Sequence, residues 1–185
     1  MSETGIMITL EYVLTMAGYN QWINARVYAA ARQLPAKELA AQRNAFFGSI
    51  IGTLNHIVVG DTIWLQRFAT HSSAFVSLDP IRQLQRPSAL NQILFDDLDD
   101  LFERRELIDA AILRWAEELT ESDLAHVIVY TRMAGAPARK PLHSLLVHFF
   151  NHQTHHRGQV TTLLSQAGVD VGVTDILALM PDVES

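Results

Sequence analysis

The sequence predicts an all-α fold, an up-down four-helix bundle, and three observations predict it. Four long segments repeat apolar residues at spacings of three and four. Short stretches rich in Pro, Gly, Ser and Thr separate them, with no internal repeat or low-complexity tract. Helices of about 25 to 30 residues with one apolar face satisfy that face by packing side by side at small crossing angles.

The first helix spans roughly residues 9 to 33, where Val13, Met16, Asn20, Ile23, Val27, Ala31 and Leu34 keep the rhythm and Pro35 ends it. The second spans roughly 46 to 69 on the stripe Phe47, Ile50, Leu54, Ile57, Asp61, Trp64 and Phe68, with Asp61 its one charged member. Residues 72 to 87 hold turn formers and two prolines without a period, and read as a crossover loop. Ser88 offers an N-cap to a third helix over about 89 to 119, which buries Leu90, Leu94, Leu98, Leu101, Ile108, Ile112 and Trp115. Asp96, Asp97, Asp99, Asp100 and Glu103 then form a solvated acidic face. Alternation through residues 126 to 131 marks a short strand or extended loop. The fourth helix begins near Pro141 and stops at Gly168, a natural glycine terminator. A last short segment, Thr174 to Met180, has Asp175 in its first turn and caps one end of the bundle.

The 185 residues, 49% of them hydrophobic, suit one domain spanning 1–185. The richest apolar stretch, Ile50 to Leu65, is broken by His56, Gly60 and Asp61, which argues against a membrane span. The opening Met-Ser-Glu-Thr-Gly lacks the basic region and apolar core of a signal peptide, and there is no cysteine, so a cytoplasmic location is expected. The absence of cysteine also excludes thiolate nucleophiles, cysteine zinc sites and iron-sulfur clusters; histidine must do any metal binding. A net charge of -6 with scattered basic residues excludes a nucleic-acid partner.

Chemistry concentrates in the fourth helix, where His148, His152, His155 and His156 fall within nine residues. Residues four apart share a helix face, so either His148 with His152 or His152 with His156 could converge on one ion. The apolar stripe Leu142, Leu145, Phe149, Val160 and Leu163 runs through His152 and His156 and points both rings inward. A shared metal would satisfy an acceptor nitrogen on each. His56, mid-helix with Gly52 and Gly60 one turn to either side, is the candidate third ligand; a hydrogen-bonded core histidine with glycines serving close helix packing is the equal alternative. His152-Gln-Thr-His155-His156 has the spacing of the H-E-x-x-H metalloprotease motif, but Gln153 stands where a general base is needed, and no Glu-x-x-His pair exists for a di-iron centre. A single-metal site remains.

At this point the chain resembles the DinB/YfiT-like superfamily of four-helix metalloproteins. The resemblance rests on Tyr19-Asn20-x-Trp22; on Leu54-Asn55-His56-Ile57 with Asp61, Trp64, Leu65 and Arg67; on Asn151-His152-x-Thr154-His155-His156-Arg157-Gly158-Gln159; and on Gly168-Val169 with Thr174-Asp175. It implies His56, His152 and His156 as metal ligands and leaves His148 and His155 outside the triplet. Asn20 and Asp61 are either partners of a ligand imidazole or buried structural groups. Arg157 either faces an anionic substrate or meets solvent.

The ligand set admits one divalent ion, zinc, nickel or iron, with copper also compatible with imidazole. Some relatives implied by the resemblance are transferases or isomerases that use a low-molecular-weight thiol, and that activity on a small-molecule substrate is the leading expectation. A metal-dependent hydrolase, a non-catalytic metal-binding stress-response protein and a bundle whose histidines bind nothing are the alternatives. A homodimer is expected from the aromatic and aliphatic surplus.

Overall fold

The structure is a computed structural model; it describes residues 8–182 and is mostly helical. In chain order the elements are α1 (Leu10–Ala31), α2 (Ala36–Ala40), α3 (Ile50–Phe68), α4 (Asp79–Arg82), α5 (Leu98–Glu118), α6 (Glu121–Ala125), β1 (Val127–Thr131), β2 (Pro137–Pro141) and α7 (Leu142–Gln166). One-turn 3-10 segments precede α4 (Val76–Leu78) and follow α7 (Ile176–Leu179). Among the described residues no helix is long and apolar enough to cross a membrane.

The four long helices α1, α3, α5 and α7 correspond to the four expected stripes. α1 packs against α5 and α7, and α3 packs against the same two. Val13, Ile23 and Val27, Leu54, Ile57 and Phe68, Leu101, Ile108 and Trp115, and Leu145, Phe149 and Val160 fill the space between them and are all buried. Each such side chain contributes about 1.5–3 kcal/mol of burial free energy. α3 is buried on almost every side, because α4, β1 and the segment before α5 cover the face that α5 and α7 leave open. A helix enclosed in this way can hold a polar side chain out of bulk water, and His56 lies near its middle.

The ends of the helices depart from expectation for local reasons. α3 starts at Ile50 rather than 46, because Asn44 and Gly48 take left-handed conformations (φ 54° and 77°) and Ser49 caps the helix by accepting from the Gly52 amide. Phe47 therefore lies in a turn, outside the stripe to which its spacing assigns it. α5 starts at Leu98 rather than 89: Asp97, not Ser88, is its cap and accepts from the amides of Asp99 and Asp100. Leu90 and Leu94 sit in an irregular segment, where the Asn55 side chain accepts from the amides of Leu94 and Phe95 and donates to the Phe95 carbonyl. The acidic run then serves the positive end of the helix, and exposed Asp99 meets Arg32.

β1 occupies the expected extended stretch, and its antiparallel partner β2 escapes notice because Pro137 and Pro141 bound it. These prolines pair with Thr131 and Val127 at the two ends of the ladder, where a missing amide is tolerated. α7 begins after Pro141 and ends before Gly168, whose φ of 81° gives its amide to Ser165. The final 3-10 turn buries none of its residues, and the segment before it is tied to α1 through the Tyr19 hydroxyl, which donates to the Thr174 carbonyl.

Candidate metal centre

Two helices supply the centre. His152 and His156, four apart on α7, present their rings on the face turned to α3, and His56 of α3 meets them. The Nε2 atom of His56 lies 3.2 Å from Nε2 of His152 and 3.1 Å from Nε2 of His156. All three nitrogens fall within 4.8 Å of one another. Four-coordinate zinc with nitrogens at about 2.0–2.1 Å sets neighbouring nitrogens about 3.3 Å apart, so the spacing fits one ion.

Tautomers decide whether these nitrogens can bind. Nδ1 of His56 lies 2.7 Å from the Leu90 carbonyl, which only accepts, so that nitrogen carries the proton and Nε2 keeps its lone pair. Nδ1 of His156 donates in the same way to Oε1 of Gln159 at 2.8 Å, while Nε2 of that amide faces exposed His155 at 3.3 Å. Two lone pairs are thus directed at each other across 3.1 Å, an arrangement that repels unless an electrophile lies between them. Burial pushes the pKa of His56 down to about 4 and that of His152 to about 3, and lowers that of His156, so the rings are held neutral, the form that binds metals. The donor set, its protonation and its spacing all fit a divalent ion.

Of the two glycines flanking His56, Gly60 serves the close helix packing that the sequence left open, and Gly52 serves a turn. A Cβ on Gly60 would stand 2.8 Å from Cε1 of His152, so this glycine makes room for the ring on the other helix. A Cβ on Gly52 would stand 2.3 Å from the Phe47 carbonyl, so that glycine admits the turn before α3. The admitted turn places Phe47 parallel to the His56 ring, with centroids 3.7 Å apart. Phe47, Asn55 and Leu90 are contributors that periodicity conceals, because each acts through a loop.

Behind the centre lies a buried polar cluster. Asp61 accepts from Arg105 and from Nε2 of Gln153 at 2.9 Å; Arg105 also meets Asp109 at 3.0 Å; Asn20 and Asn24 donate to Asp109. Arg157 donates to Asn20 and lies against the Tyr19 ring. Two carboxylates thus face two guanidiniums, so the charges can be held without water. Asn20 and Asp61 are structural groups that make no hydrogen bond to the three rings. Arg157 is buried rather than exposed to substrate or solvent, which corrects both sequence readings of it. Gln153, where a metalloprotease would carry its glutamate, is fully buried and turned to Asp61. His148 stands apart from the converging nitrogens, edge-on to Trp64.

Residues 1–182 match the family model described as the DinB family. The chain is 26% identical over 167 residues to Protein DinB of Bacillus subtilis (strain 168), covering 89% of this chain and 91% of that protein. Among solved structures, a DinB-like protein from Bacillus cereus ATCC 10987 superimposes with a TM-score of 0.54 at 19% identity, covering 83% of this chain and 91% of the other, which shows a shared fold.

Proposed function

The chain belongs to the DinB family, and from that premise we propose that its four long helices, arranged as an up-down bundle, hold one divalent ion through His56, His152 and His156. The observation that carries the reading is the meeting of three Nε2 atoms, two of them stripped of protons by the acceptors at Leu90 and Gln159. We propose further that the protein is a metal-dependent transferase or isomerase working on a small molecule with a low-molecular-weight thiol. An ion held by three neutral ligands keeps its double charge and favours the thiolate form of a thiol that reaches it.

Several features of the chain support this class. It has no cysteine, so a sulfur nucleophile must come from outside. A cavity of about 360 Å³ opens beside His56 and His152, whereas a purely structural site is closed by protein ligands. Among the described residues no Asp or Glu lines that cavity, and Asp61 is committed to Arg105 and Gln153, so a hydrolase finds no carboxylate base for water there. Phe47, stacked on His56, shields one side of the centre, and Gly60 leaves His152 free to approach.

Metal analysis of protein purified without a histidine tag should find one equivalent of zinc, nickel or iron, absent from His152→Ala. An ion at a hundred times its Kd stabilises the folded state by about 2.7 kcal/mol, so chelation should lower the Tm by about 5–10 °C. No uptake would overturn the whole proposal. Metal-loaded protein that consumes thiols in the presence of small electrophiles no faster than His152→Ala would overturn its catalytic half.

A further inference from the structure

The cavity beside the three imidazoles has walls of Ile63, Trp64, Leu90 and Tyr130 and one buried cation, Arg67. Arg67 is only 8% exposed. Its one hydrogen bond among the described residues runs from Nη2 to the Thr131 carbonyl at 2.9 Å, and Nε is buried without a partner. The guanidinium lies between two aromatic faces, 4.5 Å from the Trp64 centroid and 4.7 Å from that of Tyr130. No carboxylate forms a salt bridge with it among the described residues. Arg132, at the cavity's rim, and Arg86, whose like charge repels that of Arg67, add to the positive field.

A buried guanidinium normally has an anionic partner, and this chain follows that rule elsewhere: Arg105 is matched by Asp61 and Asp109. Carboxylates are not scarce, since the chain carries 20 Asp and Glu against 14 Lys and Arg. The missing partner of Arg67 therefore points to a ligand. A guanidinium presents donors in a planar fork that matches the two oxygens of a carboxylate, and the surrounding wall suits a hydrocarbon body. A phosphate dianion would ask for more donors than one half-used guanidinium offers.

We propose that this cavity binds small organic acids, with Arg67 taking the carboxylate and Trp64, Tyr130 and Ile63 covering the apolar body. The acid is then held with its remaining atoms next to His56 and His152. This deepens the proposed function by naming a substrate class and relies on it for the reaction, although the binding itself needs only Arg67 and the cavity.

The test titrates benzoate, benzyl alcohol and inorganic phosphate into the full chain, metal-loaded and metal-free, with metal content measured on the same samples. Benzoate should bind at least tenfold more tightly than benzyl alcohol and than phosphate. Arg67→Met should weaken benzoate at least tenfold in the metal-free protein, where no ion competes for the carboxylate, and Arg67→Lys should fall between. Equal binding of benzoate and benzyl alcohol, tighter binding of phosphate, or full affinity in Arg67→Met would overturn the proposal. Should Arg67→Met fail to fold, the lysine variant and the wild-type preference decide it. Benzoate bound through Arg67 by a protein that takes up no metal would sustain this inference while the metal reading fails.

Discussion

Replacing Gly60 by alanine should separate metal affinity from stability, because the two respond with opposite signs. The new Cβ would stand 2.8 Å from Cε1 of His152, where ordinary contact begins at 3.4 Å, so the ring must retreat by about 0.6 Å. A side-chain ring can do this cheaply, and the fold survives. Metal–ligand distances, however, tolerate only about 0.2 Å, so the ion loses the geometry of one of its three ligands. Meanwhile, removing a glycine from a helix interior contributes up to about 1 kcal/mol of stability. Calorimetric titration of zinc into metal-free Gly60→Ala should show affinity at least tenfold below wild type, with an unchanged or higher Tm in chelator. Gly18→Ala, with nothing within 4 Å, should gain stability and leave affinity alone. Gly52→Ala drives its Cβ against the fixed Phe47 carbonyl and should lose about 1–3 kcal/mol of stability. If Gly60→Ala binds zinc as tightly as wild type, the ring of His152 is not held where an ion needs it.

Gln159→Leu removes the acceptor that orients His156, and zinc affinity should fall about 10–100-fold; unchanged affinity would show that the amide does not set the tautomer. Arg105→Met removes the guanidinium that forms salt bridges with Asp61 and Asp109, and urea denaturation should show a loss of about 3–5 kcal/mol, against the reasoning if it is below about 1 kcal/mol. In chelator, burial keeps His152 at about 3 and His56 at about 4 against an ordinary 6.5. The folded chain therefore binds fewer protons than the unfolded one in that window, and this stability is complete above pH 6.5 and lost as pH falls toward 4. Asp109, pushed up to about 6 by burial, acts in the opposite sense. Wild type should accordingly lose more Tm than His152→Asn between pH 7 and 4.5, and equal losses would contradict the assignment.

Periodicity makes the four long helices legible because burial on one face imposes it, and the same rule turns His152 and His156 inward with Phe149 and Val160. It misleads where a loop borrows the spacing of a helix. Leu90 and Leu94 continue the rhythm of Leu98 toward the N-terminus, yet the helix is capped at Asp97 and begins only after them. Arg157 illustrates a second limit: an arginine on a helix reads as solvated unless its counter-charges are visible, and here the cluster that receives it comes from α1, α3 and α5, far away in sequence. Gly60 shows a third. A glycine one turn from His56 suggests room for that ring, whereas the atom it would strike belongs to the opposite helix, and only the fold supplies that neighbour.

The irregular segment before α5 is also what makes His56 usable. A carbonyl inside a helix is already taken by the amide four residues on, so a helical Leu90 would have had little to offer an imidazole. Asn55, the neighbour of His56 in sequence, holds the segment out of helix by binding the amides of Leu94 and Phe95 and the carbonyl of Phe95, and Leu90 is thereby presented 2.7 Å from Nδ1 of His56. One dipeptide therefore does two jobs: the amide side chain fixes a loop, and the loop fixes the proton on the adjacent ring. On α7 the corresponding task falls to Gln159, three residues beyond His156, so each helix carries its own means of freeing an Nε2 lone pair toward the shared point.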